Sequence, residues 1–477
     1  MLVNSIPFFI FFIIIIIPYF LLGKLGYEKQ NVWLLFASYF FYGWADWRMV
    51  PLLIIVTIVF YLLGLSIAKD EIPKKITRLL LTCGIVFGVG LLLYFKYLNF
   101  FIEQFAALLG LFGLKTNYSS FNLIVPIGLS FFTFKLISYI IEVSKGAIKP
   151  TRNFVTFATY IAFFPTIMSG PIDRPNMFIP QLEQKRTADW DNVLEGCKRI
   201  LWGMFLKMCI ADKISPYTDA VFNNYYHHSG LTIVVAAALY SFQIYADFCG
   251  YSEMAIGVGR IMGIKVTENF NRPFFAQNIA EYWRRWHITL TTWLTDYVFT
   301  PLSVSFRNWG MWGINLAVMI NMAAIGLWHG ANWTFLVFGL MHGLMLVSVN
   351  LTQKRKKKFE KKHNLKNNKL WINSRRLWTF TLVSIGLIMF RAYNVGNFFN
   401  IIERFTASGG LFFSWALTAI IPICIMMFKE LKDEEQWNLH FLHSKNVYVE
   451  AISFALLAVF VFYSGELEGA KFIYFQF

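Results

Sequence analysis

Two histidines set in apolar sequence are the side chains of this chain best suited to chemistry. His287 closes the run Glu281-Tyr282-Trp283-Arg284-Arg285-Trp286-His287, and His329 lies in Gly326-Leu327-Trp328-His329-Gly330-Ala331-Asn332-Trp333. His329 interrupts what is otherwise one long apolar run from Asn308 through Gln353, with only His342 as a further break. An imidazole in hydrocarbon is costly unless it faces protein or water, so an intramembrane histidine is a candidate site by default. With its second nitrogen held by an amide or a carbonyl, a neutral imidazole is suited to take a proton from a hydroxyl. Asn332, three residues on, shares the face of His329 if the helix continues through Gly330. Trp283, Trp286 and His287 share one side of a helix, with Arg284 offset from it. The competing reading is that His329 caps or cross-links helices. His342 reads as packing, and His227, His228, His363, His440 and His443 lie in polar, loop-like surroundings and carry no role.

Further carboxylates stand near the end of an apolar run in Gln243-Ile244-Tyr245-Ala246-Asp247-Phe248-Cys249-Gly250-Tyr251-Ser252-Glu253. Asp247 is expected in a structural ion pair, with Arg284 or Arg285 as partner, or else holding a histidine in one tautomer. The five cysteines, Cys83, Cys197, Cys209, Cys249 and Cys424, have neither a paired nor a metal-ligand spacing, so no metal site is expected. No GxSxG elbow, GxxxxGK[ST] loop or HExxH helix occurs, which argues against a serine hydrolase, a nucleotide-driven pump and a zinc protease.

The elements that must hold these residues are membrane helices. The chain has 477 residues, 57% hydrophobic and only 15% charged, with a mean hydropathy of +0.52; soluble domains carry about 25% charged residues. Uncharged runs of near-spanning length occur at 5–23, 49–68, 79–95, 116–134, 153–172, 229–246, 308–328, 405–428 and 451–465. Shorter candidates at 31–45, 330–353 and 377–390 bring the expected count to about ten to twelve transmembrane helices, in an all-α integral membrane protein. The first run lacks a positive leader and is expected to be a retained span. The run 105–114 is too short to cross and is expected at an interface. Pro and Gly break the segments 125–134 and 164–175; the second reads either as re-entrant backbone lining a cavity or as a helix end with Arg174 in water. An amphipathic helix is expected between Asp189 and Lys213, on the cytoplasmic face. The net charge of +16 is expected to lie in loops between apolar runs, above all Lys354-Arg355-Lys356-Lys357-Lys358. That pattern fits a cytoplasmic loop against anionic lipid rather than nucleic acid. The whole chain is expected to be one polytopic domain, with N-terminal helices over 1–115, a core over 116–345 and C-terminal helices over 346–477.

Several of these segments resemble the membrane-bound O-acyltransferase family. They are Gln243-Ile244-Tyr245-Ala246-Asp247-Phe248, Glu268-Asn269-Phe270, Tyr282-Trp283-Arg284-Arg285-Trp286-His287-Ile288-Thr289-Leu290-Thr291-Thr292-Trp293 and Gly326-Leu327-Trp328-His329-Gly330-Ala331, with Ser169-Gly170-Pro171-Ile172-Asp173-Arg174 besides. Within the family they are most similar to the bacterial alginate O-acetyltransferase branch, with the teichoic-acid D-alanyl transfer proteins as relatives. The resemblance implies re-entrant and interfacial helices and a ring of helices around a central tunnel, with an acyl donor entering from the cytoplasm and an acceptor from outside. It implies a catalytic role for His329 and a second motif histidine in His287. Asn332, Trp328 and the ring of His287 are the candidate donors to an oxyanion, and Trp286, Arg284 and Asp247 are further candidates for substrate contact. No bound cofactor is implied; the donor would be a thioester, acetyl-CoA, and the partners a hydrolase-like extracytoplasmic acetyltransferase and a polysaccharide. The location implied is the bacterial plasma membrane. After Pro301 the sequence Leu302-Ser303-Val304-Ser305-Phe306-Arg307 replaces the glycine-rich turn of the alginate pattern, which leaves the acceptor open. A transporter and a non-catalytic scaffold are the rival readings, separated from the enzyme by whether labelled acetyl-CoA is consumed and whether the histidines are dispensable.

Overall fold

The computed structural model describes residues 1, 3–69, 71–114, 120–437, 442–444 and 446–466; His440 and the tail after Glu466 lie outside them. Every regular element among these residues is helical. Among the described residues seven stretches are long and apolar enough to cross a membrane: Ile6–Gly23, Tyr27–Ile67, Lys74–Leu111, Gly230–Ile261, Arg307–His329, Trp333–Lys362 and Val447–Ser464. The second of these holds two helices joined by the short 3-10 turn Trp47–Met49. The chain clusters into two compact units, Met1–Ile200 with Met254–Thr267 and Leu201–Glu253 with Glu268–Phe477.

The first unit contains α1 (Ile6–Gly23), α2 (Tyr27–Asp46), α3 (Val50–Ile67), α4 (Lys74–Leu92), α5 (Leu98–Leu111), α6 (Leu129–Ser144), α7 (Phe154–Ala162), α8 (Phe164–Ile167), α9 (Pro175–Leu182) and most of α10 (Trp190–Met204). The run 105–114 is not a separate interfacial piece. It ends a helical stretch that continues from α4 through the π-helical turn Leu93–Tyr97, where an extra residue widens the helix without stopping it. The run 116–134 is helical only from Leu129 on; its residues 116–119 lie outside the described set. Gly128 precedes the helix at φ 73°, and a Cβ there would stand 2.1 Å from the Ile167 carbonyl, so glycine is required twice over.

The segment around Pro165 is broken as the sequence suggests, and it is buried in protein. Phe163 ends α7 with ψ 109°, Pro165 sits in the first turn of α8, and residues 156–173 are all buried. Irregular backbone in a membrane protein must find such partners. Here the Phe164 N–H donates to Ser38 Oγ at 3.2 Å and the Asp173 carbonyl accepts from the Tyr160 hydroxyl at 3.0 Å, while Lys135 of α6 donates to Thr166 Oγ1 at 2.9 Å. Arg174 is half-buried, so neither of the sequence alternatives describes the segment fully.

In the second unit α10 passes through the π-helical turn Phe205–Ala211 into α11 (Asp212–Asn223), followed by most of α12 (Gly230–Ile261), α13 (Ile279–Arg285), α14 (Ile288–Leu294), α15 (Thr300–Ser305), α16 (Gly310–His329), α17 (Trp333–Lys362), α18 (Lys369–Arg391), α19 (Val395–Glu403), α20 (Ile420–Glu434) and α21 (Val447–Ser464). The expected amphipathic helix is present, but Lys207 does not reach water: it is 4% exposed. A Cβ on Gly250 would lie 2.7 Å from the Gly203 carbonyl, so bare backbone lets α12 approach close enough to bury that lysine. The run 405–428 is not one helix either. Residues 407–414 are irregular around Gly409 and Gly410, and α20 begins only at Ile420. The α16 and α17 hairpin is built on two glycines: a Cβ on Gly326 would meet the Phe335 carbonyl at 2.2 Å, and one on Gly339 the Met322 carbonyl at 2.3 Å. Small residues of this kind let membrane helices touch backbone to backbone.

Candidate active site

His287 is not on a continuous helix with Trp283 and Trp286. The chain leaves α13 at Arg285, and His287 caps α14 with φ 42° and ψ 53°. Left-handed backbone is unfavourable for a residue with a side chain, so the surroundings must hold it there. They do so through Asn269 in the preceding loop. Ile288 N–H donates to the Asn269 carbonyl and Asn271 N–H to the Arg285 carbonyl, both at 2.9 Å, which lays the two segments side by side.

The same asparagine fixes the imidazole. Asn269 Oδ1 accepts from the Thr289 amide at 3.2 Å and hydroxyl at 2.8 Å, and lies 3.2 Å from His287 Nδ1. An amide N–H can only donate, so the Asn269 atom is oxygen and His287 Nδ1 carries the proton. The ring is fully buried, and burial pushes its pKa down to about 3. His287 is therefore neutral at physiological pH, with its lone pair on Nε2.

His329 is the last residue of α16 and is 5% exposed. Trp328 joins it to His287: the Trp328 ring lies 5.6 Å from the His287 ring and 5.0 Å from the His329 ring, both edge-on. Phe248 stands against His287 at 4.6 Å and Phe390 against His329 at 5.0 Å. The His329 ring opens on a narrow cavity of about 10 Å³, shared with Tyr282, Trp283, Trp286, Phe338 and His342. That is about the volume one water needs. His342 is buried in this cavity with Nδ1 accepting from Trp283 Nε1 at 3.3 Å, so the sequence reading of it as packing omits its place beside His329.

The other candidates divide. Trp286 lines the His329 cavity and stacks on Tyr282 at 5.5 Å. Asn332 is not on the His329 face, because α16 stops at His329 and Gly330 is extended. Asn332 instead caps α17, its Oδ1 accepting from Thr334 N–H and its Nδ2 donating to the Tyr393 carbonyl at 3.2 Å. Asp247 is in a buried ion pair, but with Lys207 at 2.8 Å, a lysine that Asp212 also binds at 2.7 Å. The arginines expected for it are elsewhere: Arg285 pairs with Glu281 and Glu434, and Arg284 is exposed and lines a second cavity.

The comparison with known proteins settles what this arrangement belongs to. The model of the membrane-bound O-acyltransferase family matches residues 36–391, a span that includes both histidines, Trp328 and Asn269. The chain belongs to the membrane-bound O-acyltransferase family. It is 36% identical to the probable alginate O-acetylase of Azotobacter vinelandii over 396 residues, 82% of this chain and 74% of that one. It is 30% identical to the peptidoglycan O-acetyltransferase of Helicobacter pylori over 414 residues, 80% of this chain and 74% of that one. It is 32% identical to the teichoic acid D-alanyltransferase of Bacillus subtilis over 278 residues, 57% of this chain and 68% of that one. As a membrane-bound O-acyltransferase the chain is an acyl-transferring enzyme and a multi-pass membrane protein.

Asn269, which holds the His287 ring, is the residue of the site that sequence reasoning does not single out. It stands in one of the family-like motifs, yet nothing in a lone asparagine says that it will meet a histidine 18 residues on. The buried lysine Lys207 was likewise hidden, because its amphipathic setting is that of a solvated cation.

Proposed function

We propose that this enzyme transfers an acetyl group from cytoplasmic acetyl-CoA for the O-acetylation of a polysaccharide outside a bacterial plasma membrane, working with a hydrolase-like acetyltransferase on that side. The observation that carries the reading is the cluster in which Trp328 bridges a fixed neutral imidazole, His287, and a second imidazole, His329, that opens on a small cavity. His329 takes the proton of an incoming hydroxyl as the hydroxyl oxygen attacks the thioester carbonyl carbon. The carbonyl oxygen becomes an oxyanion; its collapse breaks the C–S bond, and the imidazolium returns its proton to the leaving thiolate. The imidazolium forms at the carbonyl end of α16, where the helix dipole favours positive charge.

Of the three candidate oxyanion donors, Asn332 lies off the His329 face and donates to the Tyr393 carbonyl, and His287 spends its single N–H, on Nδ1, on Asn269. The indole N–H of Trp328, the ring next to both imidazoles, is the donor the geometry favours. The tight aromatic enclosure of His329 supports a short acyl group and excludes water that would hydrolyse the thioester. The similarity to alginate and peptidoglycan acetylating enzymes supports a polysaccharide acceptor. The test is to incubate the purified protein with [14C]acetyl-CoA and, in turn, alginate, peptidoglycan and lipoteichoic acid, with and without the extracytoplasmic partner. Label in a polysaccharide supports the proposal. Transfer of D-alanine from a carrier, with acetyl-CoA untouched, overturns the donor and the acyl group.

A further inference from the structure

Between the end of α10, α20 and α21 lies an apolar cavity of about 590 Å³ that shares no residue with the histidine site. Phe205, Cys424, Ile425, Leu457 and Phe460 form its apolar part, with the Phe205 and Phe460 rings 5.9 Å apart. Along α20 the lining changes from apolar to charged after Phe428: Lys429, Lys432 and Asp433 follow, and His443 joins them from the segment before α21. From Cys424 to Lys432 the helix rises about 12 Å, close to the roughly 15 Å that one leaflet gives to the hydrocarbon core. The cavity therefore has the length of an acyl chain in one leaflet, with cations where its headgroup would be.

The two faces of α20 explain why these lysines stand here. Glu430 accepts from the Tyr245 hydroxyl and Glu434 pairs with Arg285 at 2.9 Å, so the glutamates turn into the protein. Lys429 and Lys432 are left on the other side, where each lies 3.1 Å from the Asp433 carboxylate, and Lys429 also stands 4.7 Å over the Trp202 ring. The lining thus sets two ammonium groups against one carboxylate. This end of α20 is level with the basic end of α17: Glu435 pairs with Arg376 of α18 at 3.4 Å, and Arg375 of α18 pairs with Glu360 of α17 at 2.8 Å. By the positive-inside rule that is the cytoplasmic side. Val461 is the one residue of α21 that is buried, so little protein stands between the cavity and the bilayer. An apolar gap in hydrocarbon loses its contacts unless an apolar chain fills it. Basic pockets between helices on the cytoplasmic side select anionic headgroups.

We propose that this cavity holds one phospholipid of the cytoplasmic leaflet with a net-negative headgroup. An acyl chain lies against Phe205, Leu457 and Phe460, and the phosphate meets Lys429 and Lys432. The lipid has no part in acyl transfer, so its absence would leave that reading untouched.

The experiment is native mass spectrometry of the purified full-length protein supplied with equal amounts of phosphatidylglycerol and phosphatidylethanolamine carrying the same acyl chains. Wild type is expected to retain one phosphatidylglycerol per chain, at least fivefold ahead of phosphatidylethanolamine. Lys429→Gln/Lys432→Gln should lose that preference, and Lys429→Arg/Lys432→Arg should keep it. Leu457→Trp, which fills the apolar part, should lose the retained lipid whatever its headgroup. Melting temperatures equal to wild type verify the fold of each variant, and the wild-type competition needs no variant. Equal retention of the two lipids by wild type, or retention of neither, overturns the proposal in favour of an adventitious apolar occupant. An intact preference in Lys429→Gln/Lys432→Gln, or an intact bound lipid in Leu457→Trp, overturns it by placing the lipid elsewhere.

Discussion

His287 is held at a backbone angle that side chains avoid and is fixed at Nδ1 by an asparagine, so its ring is held in one place. Burial that pushes its pKa down to about 3 makes the ring a weak base, poorly matched to taking a proton near neutrality. His287→Gln should therefore lower the rate while leaving the acidic limb of the pH–rate profile where it is in wild type; a shift of that limb would assign the titration to His287 instead. The same shift has a stability consequence. The unfolded chain takes up this proton at about pH 6.5, the folded one only near 3, so the contribution is complete above 6.5 and is lost as pH falls toward 3. Its slope is about 1.4 kcal/mol per pH unit, and thermal melts of His287→Gln between pH 6.5 and 5 should be flatter than wild type by that amount. Asn269→Ala strips the acceptor from the Thr289 amide, the Thr289 hydroxyl and His287 Nδ1–H together. Buried donors left this way cost about 1–3 kcal/mol each, and denaturant or thermal unfolding of the variant should show a loss of about 2–4 kcal/mol. Unchanged stability would mean that water replaces the amide.

Between elements, the position of His329 depends on how closely α16 and α17 approach. Gly326 and Gly339 have no room for a methyl group, so Gly339→Val must push the helices apart and carry the end of α16 with them. The expected result is a rate lowered at least tenfold with the histidines intact, together with a lower melting temperature; a normal rate would show that the hairpin is more compliant than its contacts imply. The buried ion pair of α12 follows another rule. Removing Lys207 leaves Asp212 and Asp247 as buried carboxylates, which costs about 3–5 kcal/mol. Lys207→Met should melt well below wild type, and Lys207→Met/Asp212→Asn/Asp247→Asn should regain most of the loss. This pair also marks the limit of what sequence could tell. A carboxylate in an apolar run announces a buried partner, but Arg284, Arg285 and Lys207 are equally basic on paper, and only the Gly203 and Gly250 contact selects the lysine. The same holds for Asn332: its spacing from His329 suited one helical face until Gly330 ended the helix.

At the scale of the molecule, apolar run length and charge placement made the membrane class and the all-helical fold legible, and the histidine motifs made the family legible. Helix boundaries were less so: the Pro and Gly breaks near Gly128 and Pro165 were legible, but run length does not register one such as Gly409, which packs on Ser229 far away in sequence. The account as a whole rests on His329 as the base that activates the acceptor. The most direct measurement is single-turnover thiol release from acetyl-CoA, with acceptor present, by wild type and His329→Gln in the same detergent and at matched melting temperature. The account predicts that release by the variant falls to background while the donor still binds. Thiol release at a rate close to wild type would contradict it.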